Sequence, residues 1–215
     1  SISDDGNRVA IGVKGKNGNT GQVKVYQNTN GIWSQLGSDL NGIALGDQFG
    51  SSVSLSGSGN FLAIGAPFGG DSSGIFVDYG EVRIYSFSSS SNDWMQFGNE
   101  ITGEYPEDYF GFSVSIANPG LLAIGTPSKQ DLSFYRIGQV KTYEYQSSTI
   151  SWIQIGSDLN GDDNGDEFGY SVSLSDNGLL LAVGAPGVFF NPTKPNAGIA
   201  KIYALDGSSN WNQIG

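Results

Sequence analysis

Four times along the chain, alternating serines and aliphatics are followed, across a tight turn, by a continuous apolar run. The fullest copy reads Asp166-Glu-Phe-Gly-Tyr-Ser-Val-Ser-Leu-Ser, then Asp176-Asn-Gly, then Leu180-Leu-Ala-Val-Gly-Ala-Pro186. Asp47-Gln-Phe-Gly and Asp108-Tyr-Phe-Gly open two further copies, and Ser1-Ile-Ser-Asp-Asp-Gly lies inside a fourth. The equivalent serines Ser1, Ser54, Ser115 and Ser173 are separated by steps of 53, 61 and 58 residues. Self-similarity at such a period requires units that bury their apolar faces against one another, so the chain must fold as a stack of repeats.

Each repeat carries four short apolar runs. The first alternates (Val53/Leu55, Val114/Ile116, Val172/Leu174), the signature of a strand. The second, Leu-Ala-Ile-Gly-Ala-Pro and its variants, is continuous, as in a strand packed on both faces. Between them Asp4-Asp-Gly6, Gly57-Ser-Gly59, Asn118-Pro-Gly120 and Asp176-Asn-Gly178 supply the turn chemistry of short hairpins. The third run begins at Gly21-Gln-Val-Lys-Val-Tyr26, Gly80-Glu-Val-Arg-Ile-Tyr85, Gly138-Gln-Val-Lys-Thr-Tyr143 and Gly198-Ile-Ala-Lys-Ile-Tyr203. The fourth begins at Trp33, Trp94, Trp152 and Trp211. Nothing has sustained helical periodicity. The expectation is an all-β β-propeller, or part of one, built from four-stranded antiparallel blades, with repeats at about 1–46, 47–107, 108–165 and 166–215.

Phe-Gly followed one hairpin later by Gly-Ala-Pro resembles the FG-GAP repeat of integrin α-chain propellers and related secreted algal and bacterial proteins. Trp-x-Gln-x-Gly and Gly-x-Val-x-Val-Tyr extend the resemblance over all four units. The resemblance implies a propeller and an extracellular or cell-surface place. The Gly-Ala-Pro is intact only at Gly65-Ala-Pro67 and Gly184-Ala-Pro186, becoming Gly125-Thr-Pro127 and Gly12-Val-Lys14 elsewhere. The integrin Ca²⁺ loop between the first two strands is replaced by turns too short to supply 6–8 oxygens.

Composition narrows the function classes. The net charge is −11, from 10 Lys+Arg against 21 Asp+Glu. Such a chain repels phosphate backbones and anionic lipid, so nucleic acid and membrane insertion are not expected. Without Cys there are no disulfides or thiolate metal sites, and without His the usual general base is missing. The first residue is not Met and no leader is visible, so the sequence is expected to be a processed chain or a piece of a longer one.

Antiparallel order places the loops after each second strand and the loops joining repeats on one face. The joining loops hold Asp39 and Asp47; Glu100, Glu104, Glu107 and Asp108; and Asp158, Asp162, Asp163, Asp166 and Glu167, with no Lys or Arg among them. Phe68, Phe76, Tyr79, Tyr105, Phe134, Tyr135, Phe189 and Phe190 fall on the same face and form the candidate ligand-binding set, suited to protein or glycan partners. The alternative is that the aromatics fold back to cap the repeats. Asn160, Asp162, Asn164 and Gly165 match the opening of an EF-hand loop, and with Asp158 and Asp166 they make the one Ca²⁺ candidate. The twelfth position is Ser171, not Glu. No other cofactor motif occurs.

Recurrence separates structure from chemistry. The Asp of Asp-x-Phe-Gly (Asp47, Asp108, Asp166) recurs in every intact unit and is expected to brace a turn, because an active site is needed only once. Lys24, Arg83, Lys141 and Lys201 share one position and are expected to lay their stems along a seam with their charges in water. The recurring Trp and Tyr are expected to pack between repeats. No triad, phosphate loop or His/Cys cluster is present, and only a carboxylate pair of the glycosidase type stays open. The expected function is a non-enzymatic structural or adhesive module, self-assembling or joined to neighbouring propellers. The alternative is the propeller portion of a secreted carbohydrate-active enzyme with its catalytic residues elsewhere.

Overall fold

The computed structural model of the chain describes residues 1–70, 78–118, 120–187 and 198–215. These residues form four antiparallel sheets in chain order, one per repeat. Sheet 1 contains β1 (Arg8–Val13), β2 (Gln22–Thr29), β3 (Ile32–Gln35) and β4 (Leu40–Asn41); Ile2 bridges to Val9 ahead of them. Sheet 2 contains β5 (Ser52–Leu55), β6 (Phe61–Ala66), β7 (Glu81–Ser88), β8 (Asp93–Gln96) and β9 (Ile101–Thr102). Sheet 3 contains β10 (Ser113–Ala117), β11 (Leu121–Thr126), β12 (Gln139–Gln146) and β13 (Ser151–Asn160). Sheet 4 contains β14 (Ser171–Leu174), β15 (Leu180–Ala185), β16 (Ile199–Leu205) and β17 (Trp211–Ile214). Within each sheet the main strands pair consecutively as a meander, as expected of short hairpin links, while the two-residue β4 and β9 pair back with β2 and β7. The turn glycines Gly6, Gly59 and Gly178 have φ of +69°, +67° and +71°.

The core is divided among the three interfaces between successive sheets. Ala10, Val23, Val25, Phe49, Leu62, Ile64 and Trp94 fill the first. The second holds Ala63, Val82, Ile84, Phe110, Ile124 and Trp152, and the third Ala123, Val140, Phe168, Val183 and Trp211. The continuous apolar second strand follows from this arrangement, since its two sides face different neighbours.

The same contacts explain the repeated motif. Phe49 and Phe168 are fully buried and bridge in parallel to Gly21 and Gly138 of the preceding sheet. The following glycine then meets the glycine of the preceding second strand. A Cβ on Gly12, Gly65 or Gly125 would lie 2.0 Å from the carbonyl oxygen of Gly50, Gly111 or Gly169. Ser52 and Ser113 donate to the Gly111 and Gly169 carbonyls at 2.8 and 2.7 Å. Ser1, Ser54 and Ser115 accept from the Leu55, Ile116 and Leu174 N–H groups at 2.9, 3.1 and 2.9 Å. Serine in the alternating run thus stitches first strand to first strand, where backbone groups would otherwise be buried without partners.

Trp94 and Trp152 reach back to donate to the Leu36 and Phe97 carbonyls at 3.0 and 2.9 Å, and Trp211 donates to Thr142 Oγ1 at 2.8 Å. The expected packing role therefore holds for three tryptophans. Trp33, on the open side of sheet 1, is 46% exposed. Ile11 is 47% exposed, whereas Ile64 and Ile124 at the equivalent position are buried. On sheet 4 the opposite side is open, with Leu180 45% exposed where Leu121 is buried. Among the described residues, sheets 1 and 4 each leave one apolar face uncovered.

Candidate functional site

In the first three repeats the third strand begins with a polar pair two residues apart, facing a carboxylate on the return from the fourth run; in the fourth, Ile199 precedes Lys201. In sheet 1, Gln22 donates to Asn41 Oδ1 at 2.8 Å, and Lys24 Nζ pairs with Asp39 at 2.8 Å. In sheet 3, Gln139 donates to Asp158 and Asn160 at 3.1 and 2.9 Å, while Lys141 meets Glu104 at 2.5 Å and Asp158 at 3.7 Å. Lys201 of sheet 4 pairs with Asp162 at 2.6 Å. The recurring cations therefore differ from the expectation that their charges sit in water. Arg83 and Lys141 are buried, and all four cations are ion-paired. Their acidic partners in the joining loops make the burial affordable.

Sheet 2 breaks this pattern. Glu81 stands where Gln22 and Gln139 stand, Arg83 replaces lysine, and Thr102 faces Glu81 where Asn41 faces Gln22. Arg83 Nη2 lies 2.5 Å from Glu81 Oε1 and Arg83 Nε 2.8 Å from Glu100 Oε2. The Nη2 contact lacks hydrogen-bond alignment, leaving Glu81 Oε1 buried without a hydrogen-bond partner. The guanidinium lies over the Phe49 ring, 5.6 Å from its centroid.

Two carboxylates share one cation here, so one of them is driven to keep a proton. Burial pushes Glu81 up to about 7; Arg83 opposes this, and the negative charge of Glu100 adds to it. Burial alone would lower Arg83, but the two carboxylates overcome it and hold the guanidinium firmly charged.

A cavity of about 130 Å³ opens over this group, lined by Ile43, Ala44, Asp47, Gly70, Glu81, Arg83 and Glu100. Backbone packs tightly against the acid: a Cβ on Gly69 would lie 2.8 Å from Glu81 Cγ. The pocket thus combines an acid poised near neutrality, a fixed cation and one short apolar edge, Ile43 and Ala44.

Sheet 3 holds a smaller, related cavity of about 20 Å³ between Glu104, Asp108, Thr126, Lys129 and Lys141. Burial raises the Asp108 carboxyl against the pull of Lys129, 3.0 Å away, and Thr126 Oγ1 is buried without a partner. This space matches one water molecule.

The predicted binding aromatics do not act as one set. Tyr105, Phe134 and Tyr135 are exposed, with Phe134 83% accessible. Lys129 Nζ sits 3.6 Å from the Tyr105 ring centroid. Asp131 accepts from the Ser133 and Tyr135 N–H groups, shaping the turn that carries Phe134 and Tyr135. Phe68 packs on Tyr109 with centroids 5.1 Å apart, and Tyr79 is half-buried. Phe76, Phe189 and Phe190 lie outside the described residues.

The five side chains of the Ca²⁺ candidate are each engaged by protein donors and do not converge on one point. Asp158 and Asn160 accept from Gln139, Asp162 from Lys201, Asn164 from the Arg136 N–H, and Asp166 from the Asp162 and Asp163 N–H groups. Among the described residues, no cluster of three or more acids is placed to hold a metal ion. Asp47 and Asp166 brace their turns, Asp47 accepting from the Ala44 N–H at 2.8 Å; Asp108 is instead paired with Lys129. Sequence reasoning missed Glu81. The available signal was a carboxylate at the position where two other repeats carry glutamine, Gln22 and Gln139.

No family model matches the chain, and no curated protein sequence does. Solved structures of similar fold include a periplasmic gluconolactonase of Pseudomonas aeruginosa and a candidate 6-phosphogluconolactonase of Bacteroides fragilis. The first is 14% identical with a TM-score of 0.51, over 97% of this chain and 67% of that one. The second is 11% identical with a TM-score of 0.60, over all of this chain and 52% of that one. The chain thus spans about two thirds and about half of their lengths, and at these identities the likeness establishes fold. It also corrects the expectation of a non-enzymatic, integrin-like adhesive module, since both neighbours bear the names of lactone-hydrolysing enzymes. The repeat logic behind that expectation passes over Glu81, which stands where the first and third repeats carry glutamine and the fourth carries Ile199. Among the described residues no helix is long and apolar enough to cross a membrane.

Proposed function

We propose that the pocket over Glu81 is the hydrolytic site of a lactonase. The observation that carries this reading is a buried carboxyl with a pKa of about 7, found in one repeat only and facing an open cavity beside a fixed guanidinium. A group of that pKa has both protonation states available at neutral pH, as a general base and acid requires. Ionised Glu81 takes a proton from water as the water oxygen bonds to the lactone carbonyl carbon. Arg83 stabilises the negative charge that develops on the carbonyl oxygen. The ring C–O bond then breaks, and the proton held by Glu81 passes to the leaving alkoxide, giving a hydroxy acid. Glu100 keeps Arg83 oriented. The lactonase names of the two structural neighbours support the substrate class.

In the same reading the four sheets are blades of a propeller, and the periplasmic neighbour supports a place outside the cytoplasm. The test is hydrolysis of glucono-1,5-lactone by the chain in a pH-stat. Turnover above the buffer rate, lost in Glu81→Gln and reduced more than tenfold in kcat in Arg83→Lys, is the expected result. Both substitutions install residues that other repeats already carry, so the fold should be retained. Hydrolysis at the buffer rate, or equal turnover by Glu81→Gln, would overturn the assignment.

A further inference from the structure

Among the described residues, the uncovered side of sheet 4 repeats, without an occupant, a receiving site that is filled three times elsewhere in the chain. In sheets 1 to 3 the glycine of the next Phe-Gly rests between a second-strand glycine and a third-strand valine. A Cβ on Gly50, Gly111 or Gly169 would lie 2.8, 2.9 or 3.0 Å from Cγ2 of Val23, Val82 or Val140. Gly21 and Gly138 pair with the backbone of the arriving Phe49 and Phe168. In sheet 4 the equivalent positions are Gly184, Ala200 and Gly198, and they line an open groove of about 400 Å³ together with Tyr170, Ser171 and Pro186.

The polar fittings of the interface are also present. Gly198 has φ of +61°, in the same left-handed region as Gly21 at +88° and Gly138 at +75°. Ser171 corresponds to Ser52 and Ser113, which donate to the carbonyl of the arriving Phe-Gly glycine. Ser173 corresponds to Ser1, Ser54 and Ser115, which accept an N–H from the next first strand. Ile199, exposed at 46%, lines the groove.

We propose that this groove docks a further repeat unit, separate from these 215 residues, whose leading segment reads Asp-x-Phe-Gly-x-Ser. The groove continues the series of three internal interfaces, which all have the glycine contact and an accepting serine and, in two of the three, the parallel backbone bridge. A second copy of residues 1–215 does not supply the segment. Its three Asp-x-Phe-Gly stretches are already seated, with Phe49, Phe110 and Phe168 buried.

The probe is a synthetic peptide with the sequence of residues 47–56, Asp-Gln-Phe-Gly-Ser-Ser-Val-Ser-Leu-Ser, titrated into the ¹⁵N-labelled chain and followed by NMR. Saturable shifts at the Ser171, Gly184 and Gly198 amides are expected. Binding should weaken at least tenfold for the peptide with Phe replaced by Ala, and likewise for the Ala200→Trp chain, whose indole fills the glycine seat. Should Ala200→Trp fail to fold, Ile199→Asp at the groove rim serves the same purpose. No shifts at millimolar peptide, or equal binding of the Phe-to-Ala peptide, would overturn the proposal. So would shifts at these amides on dilution of the chain without peptide, because a second copy would then be the occupant.

Discussion

Glu81 and Gln139 occupy the same place in their strands and differ by one atom type, yet their surroundings treat them differently. Gln139 donates into acceptors that Asp158 and Asn160 provide, whereas Glu81 must share Arg83 with Glu100. With a native pKa of about 7 against a usual value of 4.5, folded Glu81 binds more protons than the unfolded chain across that interval. Its contribution to stability is therefore fully present below about pH 4.5 and is lost as pH rises through 7. The loss is about 3 kcal/mol at most. Glu81→Gln should flatten the fall in urea-unfolding free energy between pH 4.5 and 7; an unchanged slope would place its source elsewhere. A lactonase acting through ionised Glu81 should also show kcat/KM rising with pH to an inflection near 7.

The glycine of the second strand shows how an element's requirement depends on what lies beside it. Gly125 has the Gly169 carbonyl where a Cβ would go, so Gly125→Ala forces backbone apart and should cost about 1–3 kcal/mol in urea unfolding. Gly184→Ala meets only the movable Ser171 Oγ and should change stability by less than about 1 kcal/mol. Equal costs would mean that the glycine serves strand conformation instead of sheet contact.

The elements themselves were legible in the sequence because alternation, continuous apolar runs and Asn-Gly or Asp-Gly turns are local signals. The candidate site was not. It depends on Glu81, Arg83 and Glu100 meeting across strands, and the basic position read as solvated because nothing in one strand shows that a joining-loop carboxylate will cover it. The acidic-aromatic face was a composition argument, and its members went separate ways. Phe68 packs on Tyr109, while Phe134 stands in solvent.

Across the whole molecule, protection should follow the number of neighbours each sheet has. Sheets 2 and 3 are covered on both sides, and sheet 4 exposes Leu180, Ile199 and Ile202. Amide exchange should be slowest in β6, β7, β11 and β12 and distinctly faster in β15 and β16, because opening sheet 4 breaks one interface instead of two. Uniform protection across the four sheets would show that the end faces are covered in solution. The low fraction of charged residues fits this division: the strands supply the packing, and the joining loops supply the acids that pair with the strand cations.

The central claim is that one repeat has traded a structural glutamine for a working carboxylic acid. Isotope-edited ¹³C NMR of the Glu81 carboxyl, assigned by its absence in Glu81→Gln, measures that directly. A titration midpoint near 7 is predicted. A midpoint near the ordinary 4.5 would mean that Glu81 is a plain ion-pair partner of Arg83, and the hydrolytic reading would fall with it.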